Sequence, residues 1–304
     1  MGNHMRVAVT GATGAIGGRL VASLLGRGDD VVPLSRSAGS VQGVAAVRWD
    51  PATQAMPIAA THGVDAVVNL AGAPIDGGRW TASRKALIAD SRVVTTRRVA
   101  EALSGGAGPR VLVNASAVGF YGNRPAGDVD ETSPAGTGFL PDVCAAWEAA
   151  ARGAEAGGVR VAMARTGIVL AKEGGALPKL ARVTRMFGGG PLGGGRQWMP
   201  WIAVDDVVGM MLAALDGDQW TGPFNVTAPD PVRQRDFANT LGTVLDRPTM
   251  LPTPAAAVKL AMGEMAVIAL EGQRALPRVA EAHGYRWRFP DLEGALRHEL
   301  GRPV

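Results

Sequence analysis

Short β-branched apolar runs alternate along the chain with longer stretches whose apolar residues recur every three or four positions. Residues 6–10 (RVAVT), 31–34, 64–70 (VDAVVNL), 110–115 (RVLVNA) and 159–165 (VRVAMAR) are runs of the first kind, with 44–49 a weaker one. Each is the length of a strand and apolar enough to be covered on both faces. Ile16, Leu20, Val21, Leu24 and Leu25 mark a helix that ends at Gly26 to Gly28. A long helix is predicted over 81–103, with Leu87, Val94 and Val99 inward, and an Ala-rich one over 142–156. Strand–helix alternation of this kind predicts an α/β fold built on a doubly wound parallel sheet. The rhythm changes near residue 166. Helices at 177–187, 205–215, 233–245 and 291–300, a short strand at 224–226 and an apolar, Met-rich stretch at 252–272 predict a smaller C-terminal α/β lobe over the carboxyl ends of the sheet. The division is 5–165 for the main domain, with 201–225 returning to it, and 166–304 for the lobe.

Composition narrows the classes. The 31 basic and 27 acidic residues leave a net charge of only +4, and the positives are dispersed. No basic stripe with interleaved aromatics is present, so nucleic acid is not an expected partner. A single cysteine, Cys144, excludes an intrachain disulfide. No apolar run reaches membrane-spanning length, so no membrane association is expected and a cytoplasmic protein is the default. Residues 1–4 are expected to be foreign to the native chain, with Met5 the native start. The four histidines (His4, His62, His283, His298) are scattered without ligand spacing, so no metal site is expected. Asp205 or Asp206 is expected to cap the helix at 205–215. The Met-rich stretch at 250–265 is expected to pack the lobe rather than form a partner surface.

The sharpest signal is Thr10-Gly11-Ala12-Thr13-Gly14-Ala15-Ile16-Gly17, three glycines three apart between a strand and a helix. Gly11 suits the tight turn, Gly14 lets backbone approach a pyrophosphate, and Gly17 lets the helix pack close. The helix N-terminus offers free amides and partial positive charge to phosphates. This is the Rossmann dinucleotide pattern in its required context. Gly11, Thr13, Gly14, Ala15, Ile16 and Gly17 are therefore expected to bind the cofactor. The second strand ends Leu34-Ser35-Arg36-Ser37 with no carboxylate. A guanidinium suits a 2′-phosphate, so Ser35 and Arg36 point to NADP(H) over NAD(H). Asn69, Leu70, Ala71 and Gly72 close another strand where ribose and nicotinamide would lie.

With Thr10–Gly17, Asn69–Gly72 and Asn114–Gly122 (NASAVGFYG), the chain resembles an extended short-chain dehydrogenase/reductase. Arg79-Trp80, Ser91-Arg92, Cys144-Ala-Ala-Trp147-Glu148, Trp201 to Asp206 and Asn225 to Pro229 narrow the likeness to an NAD-dependent epimerase/dehydratase-like subfamily. So do Gly263-Glu264-Met265 and Glu271 to Arg274, from a C-terminal domain of unknown function. Some of its members are called SulA-type cell-division inhibitors. The resemblance implies an NADP(H)-dependent oxidoreductase or epimerase using Ser/Thr, Tyr and a Lys four residues on. Ser116 fits the hydroxyl position. The Lys position falls on Cys144 and the Tyr position on Leu140, so the usual acid–base pair is absent. Tyr121 and Cys144 are the remaining candidates. Tyr121 serves equally as a packed aromatic, and a lone Cys on an Ala-rich helix as a small core residue. Glu148 reads as a helix-surface or cap ion pair, and Arg165 as a group reaching the cofactor or an anionic substrate. Arg79 and Trp80 are candidate substrate contacts in a loop at the same edge. The substrate is an unidentified small molecule. The competing reading is a non-catalytic NADP(H)-binding regulator or redox sensor with a protein partner, and helices 81–103 and 142–156 suggest a homodimer by analogy.

Overall fold

The computed structural model describes residues 4–106 and 108–303, so most of the opening segment expected to be foreign lies outside the described residues. Seven strands form the central sheet: β1 (Arg6–Thr10), β2 (Asp30–Ser35), β3 (Val47–Arg48), β4 (Ala66–Asn69), β5 (Val111–Ala117), β6 (Arg160–Thr166) and β7 (Gly222–Val226). Their order is β3-β2-β1-β4-β5-β6-β7, all parallel. The order reverses between β2–β1 and β4, which is where a doubly wound sheet opens a crevice at its carboxyl ends.

Alternation along each strand sends side chains to two cores. In β1, Val7 and Val9 join one cluster and Ala8 the other. The first core packs under α1 (Ala15–Gly26) and α4 (Val204–Asp216), through Leu20, Val21, Leu24, Val207, Met211 and Leu215. The second packs under α2 (Ala82–Leu103) and α3 (Phe139–Arg152), through Val99, Ala100, Leu103 and Ala151. Burial on both faces is what makes these strands read as near-continuous apolar runs.

The lobe has its own core. Trp201, Phe237, Leu241, Leu245, Leu292 and Leu296 pack against Leu170 and Leu177. A short parallel pair, Gln273–Ala275 on Arg124–Val129, ties the C-terminal region to the main domain.

Three expectations are corrected. Leu87 is 47% exposed; the inward face of α2 carries Ile88, Thr95, Thr96 and Val99, one residue out of the expected register at its start. The N-cap of α4 is Ala203, with no side-chain cap. Asp206 instead accepts from the Tyr285 hydroxyl and from the Arg288 and Phe289 amides at 2.7 and 2.9 Å, pinning the C-terminal segment to α4. Met250, Leu251 and Leu260 are each about 80% exposed or more, so the Met-rich stretch does not all pack inward.

Candidate active site

The glycine loop is built as the spacing demands. Gly11 has φ +65°, and a Cβ there would lie 2.7 Å from the Leu70 carbonyl oxygen. A Cβ on Gly17 would collide with the Gly11 carbonyl. Gly14 is the N-cap of α1, and its amide closes the turn onto Gly11 O at 3.0 Å. No side chain caps this helix and its first turn holds no acid. The first-turn amides therefore keep their donors for an oxyanion. Thr13 and Gly14 are exposed, Ala15 and Ile16 partly so. The loop fits a pyrophosphate on this observation: it has free donors and no Cβ in the way.

At the carboxyl end of β2, Ser35 and Ser37 hydroxyls lie 3.4 Å apart. Arg36 is exposed, and no carboxylate pairs with it among the described residues. Both sit beside the glycine loop because β1 and β2 are in register, Thr10 opposite Leu34.

Asn69 is fully buried and faces no cleft. Its amide nitrogen donates to Thr96 Oγ1 at 2.8 Å and Asn114 Oδ1 at 2.6 Å. Its oxygen accepts from Thr10 Oγ1 at 2.6 Å, and Trp147 Nε1 donates to Thr96 Oγ1 at 2.8 Å. The Thr10 hydroxyl also accepts from the Leu70 and Ala71 amides. Asn69 thus shapes the Leu70–Gly72 turn from behind. Gly72 itself is exposed. Ser91 Oγ accepts from the Ala73 amide, and Arg92 Nη1 donates to the Ala73 carbonyl, both from α2.

The three candidate catalytic side chains are buried. Ser116 Oγ donates to Glu148 Oε1 at 2.7 Å. Arg165 grips both Glu148 oxygens at 2.8 Å and donates from Nη1 to the Tyr121 hydroxyl at 3.0 Å. Tyr121 in turn donates to Asn225 Oδ1 at 2.7 Å. The Arg165 guanidinium lies 3.6 Å over the Phe120 ring. Burial pulls on this cation, and the hydrogen bonds and charge of Glu148 outweigh it, holding the guanidinium above its ordinary value. Glu148 and Arg165 are therefore one interior ion pair, not a surface bridge and a cofactor contact. The reason is reach: α3 lies across β5 and β6, so Glu148 meets both Ser116 and Arg165 from above. Burial pushes the Tyr121 phenol up to about 12 despite Arg165, and the Cys144 thiol up to about 12 as well. Neither is poised to give or take a proton near neutrality.

Arg79 and Trp80 also act differently from expectation. Arg79 Nη2 donates to the carbonyls of Leu260 and Ala261 at the end of the helix Ala255–Met262. Trp80 is buried, edge-on to Phe139, with Nε1 on Ile75 O at 2.8 Å. Lys85 pairs with Glu264 at 2.7 Å. The loop at 72–80 is thereby strapped to the lobe. Asp205, His298 and Glu299 approach one another as metal ligands would. Arg19, however, already pairs with Asp205 and Glu299 there, and a guanidinium in that position opposes a cation.

The profile of the NAD dependent epimerase/dehydratase family matches residues 7–226, more than half of the chain. The chain belongs to this family. Residues 253–299 match a domain of unknown function, DUF1731. Among its relatives is an epimerase family protein SDR39U1 homolog, chloroplastic, of Arabidopsis thaliana, 41% identical over 97% of this chain and 86% of the relative. The crystal structure of the human epimerase family protein SDR39U1 with NADPH superposes with a TM-score of 0.89 at 34% identity, covering 98% of this chain and all of that one. A nucleoside-diphosphate sugar epimerase from Corynebacterium glutamicum gives 0.80 at 34% identity over 98% of this chain and 59% of its own. The resemblance, the α/β class and the parallel doubly wound sheet all stand.

Proposed function

We propose that the protein is an NADP(H)-binding oxidoreductase or epimerase-type enzyme acting on a small molecule without the usual Tyr–Lys pair. The observation that carries this is the uncapped, acid-free N-terminus of α1 behind Gly11–Gly17, with Arg36 and no carboxylate at the end of β2. Human SDR39U1, 34% identical, crystallised with NADPH. The bound dinucleotide would supply hydride transfer, and the protein position and electrostatics. Here the loop amides hold the pyrophosphate, Arg36 and Ser35 take the 2′-phosphate, and the Leu70–Gly72 turn supports the nicotinamide half.

One observation favours a second reading, a non-catalytic NADP(H)-dependent regulator acting through a protein partner. Tyr121 and Cys144 are both buried with raised pKa values, so neither replaces the missing acid. Both readings share the cofactor. No described helix is long and apolar enough to cross a membrane.

The test is a titration with NADPH and NADH, read by energy transfer from tryptophan to nicotinamide. NADPH should bind at least tenfold tighter than NADH, and Arg36→Ala should erase most of that ratio, about 1.4 kcal/mol or more. Equal binding, or a ratio unchanged in Arg36→Ala, would refute the NADP(H) assignment.

A further inference from the structure

Arg92 is half-buried on α2, whereas Arg165 is buried outright. Arg165 has Glu148. Arg92 has no carboxylate among the described residues. Its Nη1 donates at 3.0 Å to two carbonyls, Ala73 and Ile88, and no partner is recorded for Nε or Nη2. The guanidinium lies 5.2 Å from the Trp147 ring. A Cβ added at Gly72 would sit 3.1 Å from its Cζ. It is near enough to Cys144, in the position where a cationic side chain is expected by resemblance, to influence that thiol. It thus stands at the carboxyl ends of β4 and β5, between α2 and α3. Burial pulls the guanidinium below its ordinary value, and Arg84, bonded to Pro74 O of the same loop, adds like charge.

A guanidinium remains charged at any working pH. Half-buried and with no carboxylate beside it, the Arg92 guanidinium keeps unspent donors at Nε and Nη2 that suit an oxyanion. Hydrophobic packing alone would be served better by Met or Leu. Two carbonyls answer only part of the charge, and the like-charged Arg84 raises the demand for an anion.

We propose that Arg92 forms the oxyanion subsite of this cleft, taking a carboxylate or phosphate oxygen of the small-molecule substrate beside Gly72. The proposal rests on the NADP(H) reading for its place in the cleft. The substrate is then an anionic molecule, and the positive charge comes from α2 rather than α3. A side chain at Gly72 would crowd the guanidinium, since a Cβ there lies 3.1 Å from Cζ and 3.3 Å from Nη2.

The experiment measures thermal midpoints of the whole protein, with and without NADPH, in sodium oxalate, sodium phosphate and sodium chloride at equal ionic strength. Stabilisation by a specific anion grows with its concentration over its Kd. Wild type should be stabilised by oxalate or phosphate over chloride, saturably, and whichever anion acts identifies carboxylate or phosphate. With NADPH filling the glycine loop, Arg92→Met should abolish that difference, and Arg92→Lys should keep part of it. NADPH and 2′,5′-ADP affinities should stay within about twofold in Arg92→Lys. No anion-specific stabilisation of wild type, or an equal one in Arg92→Met, would overturn the proposal. So would a loss of NADPH affinity in Arg92→Lys matching the loss of anion binding, since that would make Arg92 a cofactor contact. If Arg92→Met does not fold, Arg92→Lys and Gly72→Ala decide, the latter by blocking the anion while Arg92 remains. Failure to bind NADPH at all would sink the earlier reading; the difference between wild type and Arg92→Met without dinucleotide then judges the anion subsite, because the glycine loop is the same in both proteins.

Discussion

Consider cutting the Arg165–Glu148 pair one side at a time. Both side chains are almost wholly buried and joined by two hydrogen bonds of 2.8 Å. Arg165→Met strands a buried carboxylate that still holds Ser116; Glu148→Leu strands a buried guanidinium between Phe120 and Tyr121. Removing one partner of such a pair costs about 3–5 kcal/mol, because the survivor keeps its desolvation penalty without its counter-charge. The double variant removes both charges. It should cost only about 1–3 kcal/mol, mainly for Ser116 and Tyr121, which lose partners. The coupling energy should therefore be at least about 2 kcal/mol. Urea unfolding followed by tryptophan fluorescence measures all four corners. Thermal midpoints should fall by about 6–20 °C in the single variants and by less in the double. Single costs below about 1 kcal/mol, or a double cost equal to their sum, would show that the two groups do not act as a buried pair. Ser116, Tyr121 and Arg165 would then not be held together by a buried charge pair.

Other predictions address the cleft. Gly14→Ala should fold nearly as wild type, since its Cβ meets only the Gly11 carbonyl at 3.3 Å, yet lose at least about tenfold in NADPH affinity by intruding on the phosphate seat. Unchanged affinity would move the phosphate elsewhere. Cys144, with its thiol at about 12 through burial, should resist alkylation at pH 8 in the folded protein, its thiolate fraction being on the order of 10⁻⁴. Labelling should quicken about tenfold per pH unit; complete native-state labelling within minutes at pH 8 would refute the burial argument. Because this folded pKa lies above the unfolded one, its contribution to stability is present below about pH 8.5 and is lost as pH rises toward 12. Tyr121 adds a loss of the same sign, and Cys144→Ala should flatten part of that alkaline slope, as read by urea midpoints between pH 8 and 10.

The strands were legible because they are buried on both faces and so carry unbroken apolar runs. The glycine loop was legible because its conformation tolerates no side chain at Gly11 and Gly17. What pattern reading missed is polar and long-range. Thr95 and Thr96 occupy the inward face of α2, and Thr96 serves Asn69 and Trp147 there, so apolar periodicity put Leu87 inside instead of Ile88. Glu148 looked like a surface charge because its partners, Ser116 and Arg165, come from two other strands. Arg92 carried a usable signal: it lies four residues after Ile88 and three before Thr95, so a charge falls on the buried face of its helix. A charge at such a position asks for a partner. The exposed Met250, Leu251 and Leu260 show the opposite limit, since apolar composition alone does not say which residues the lobe covers.

The most direct measurement is a crystal structure of the NADPH complex. The account predicts the pyrophosphate over the first-turn amides of α1 at Gly14–Ile16, with the 2′-phosphate in hydrogen-bonding contact with Arg36. A complex in which the 2′-phosphate points into solvent away from Arg36, or in which the dinucleotide lies off the glycine loop, would contradict it.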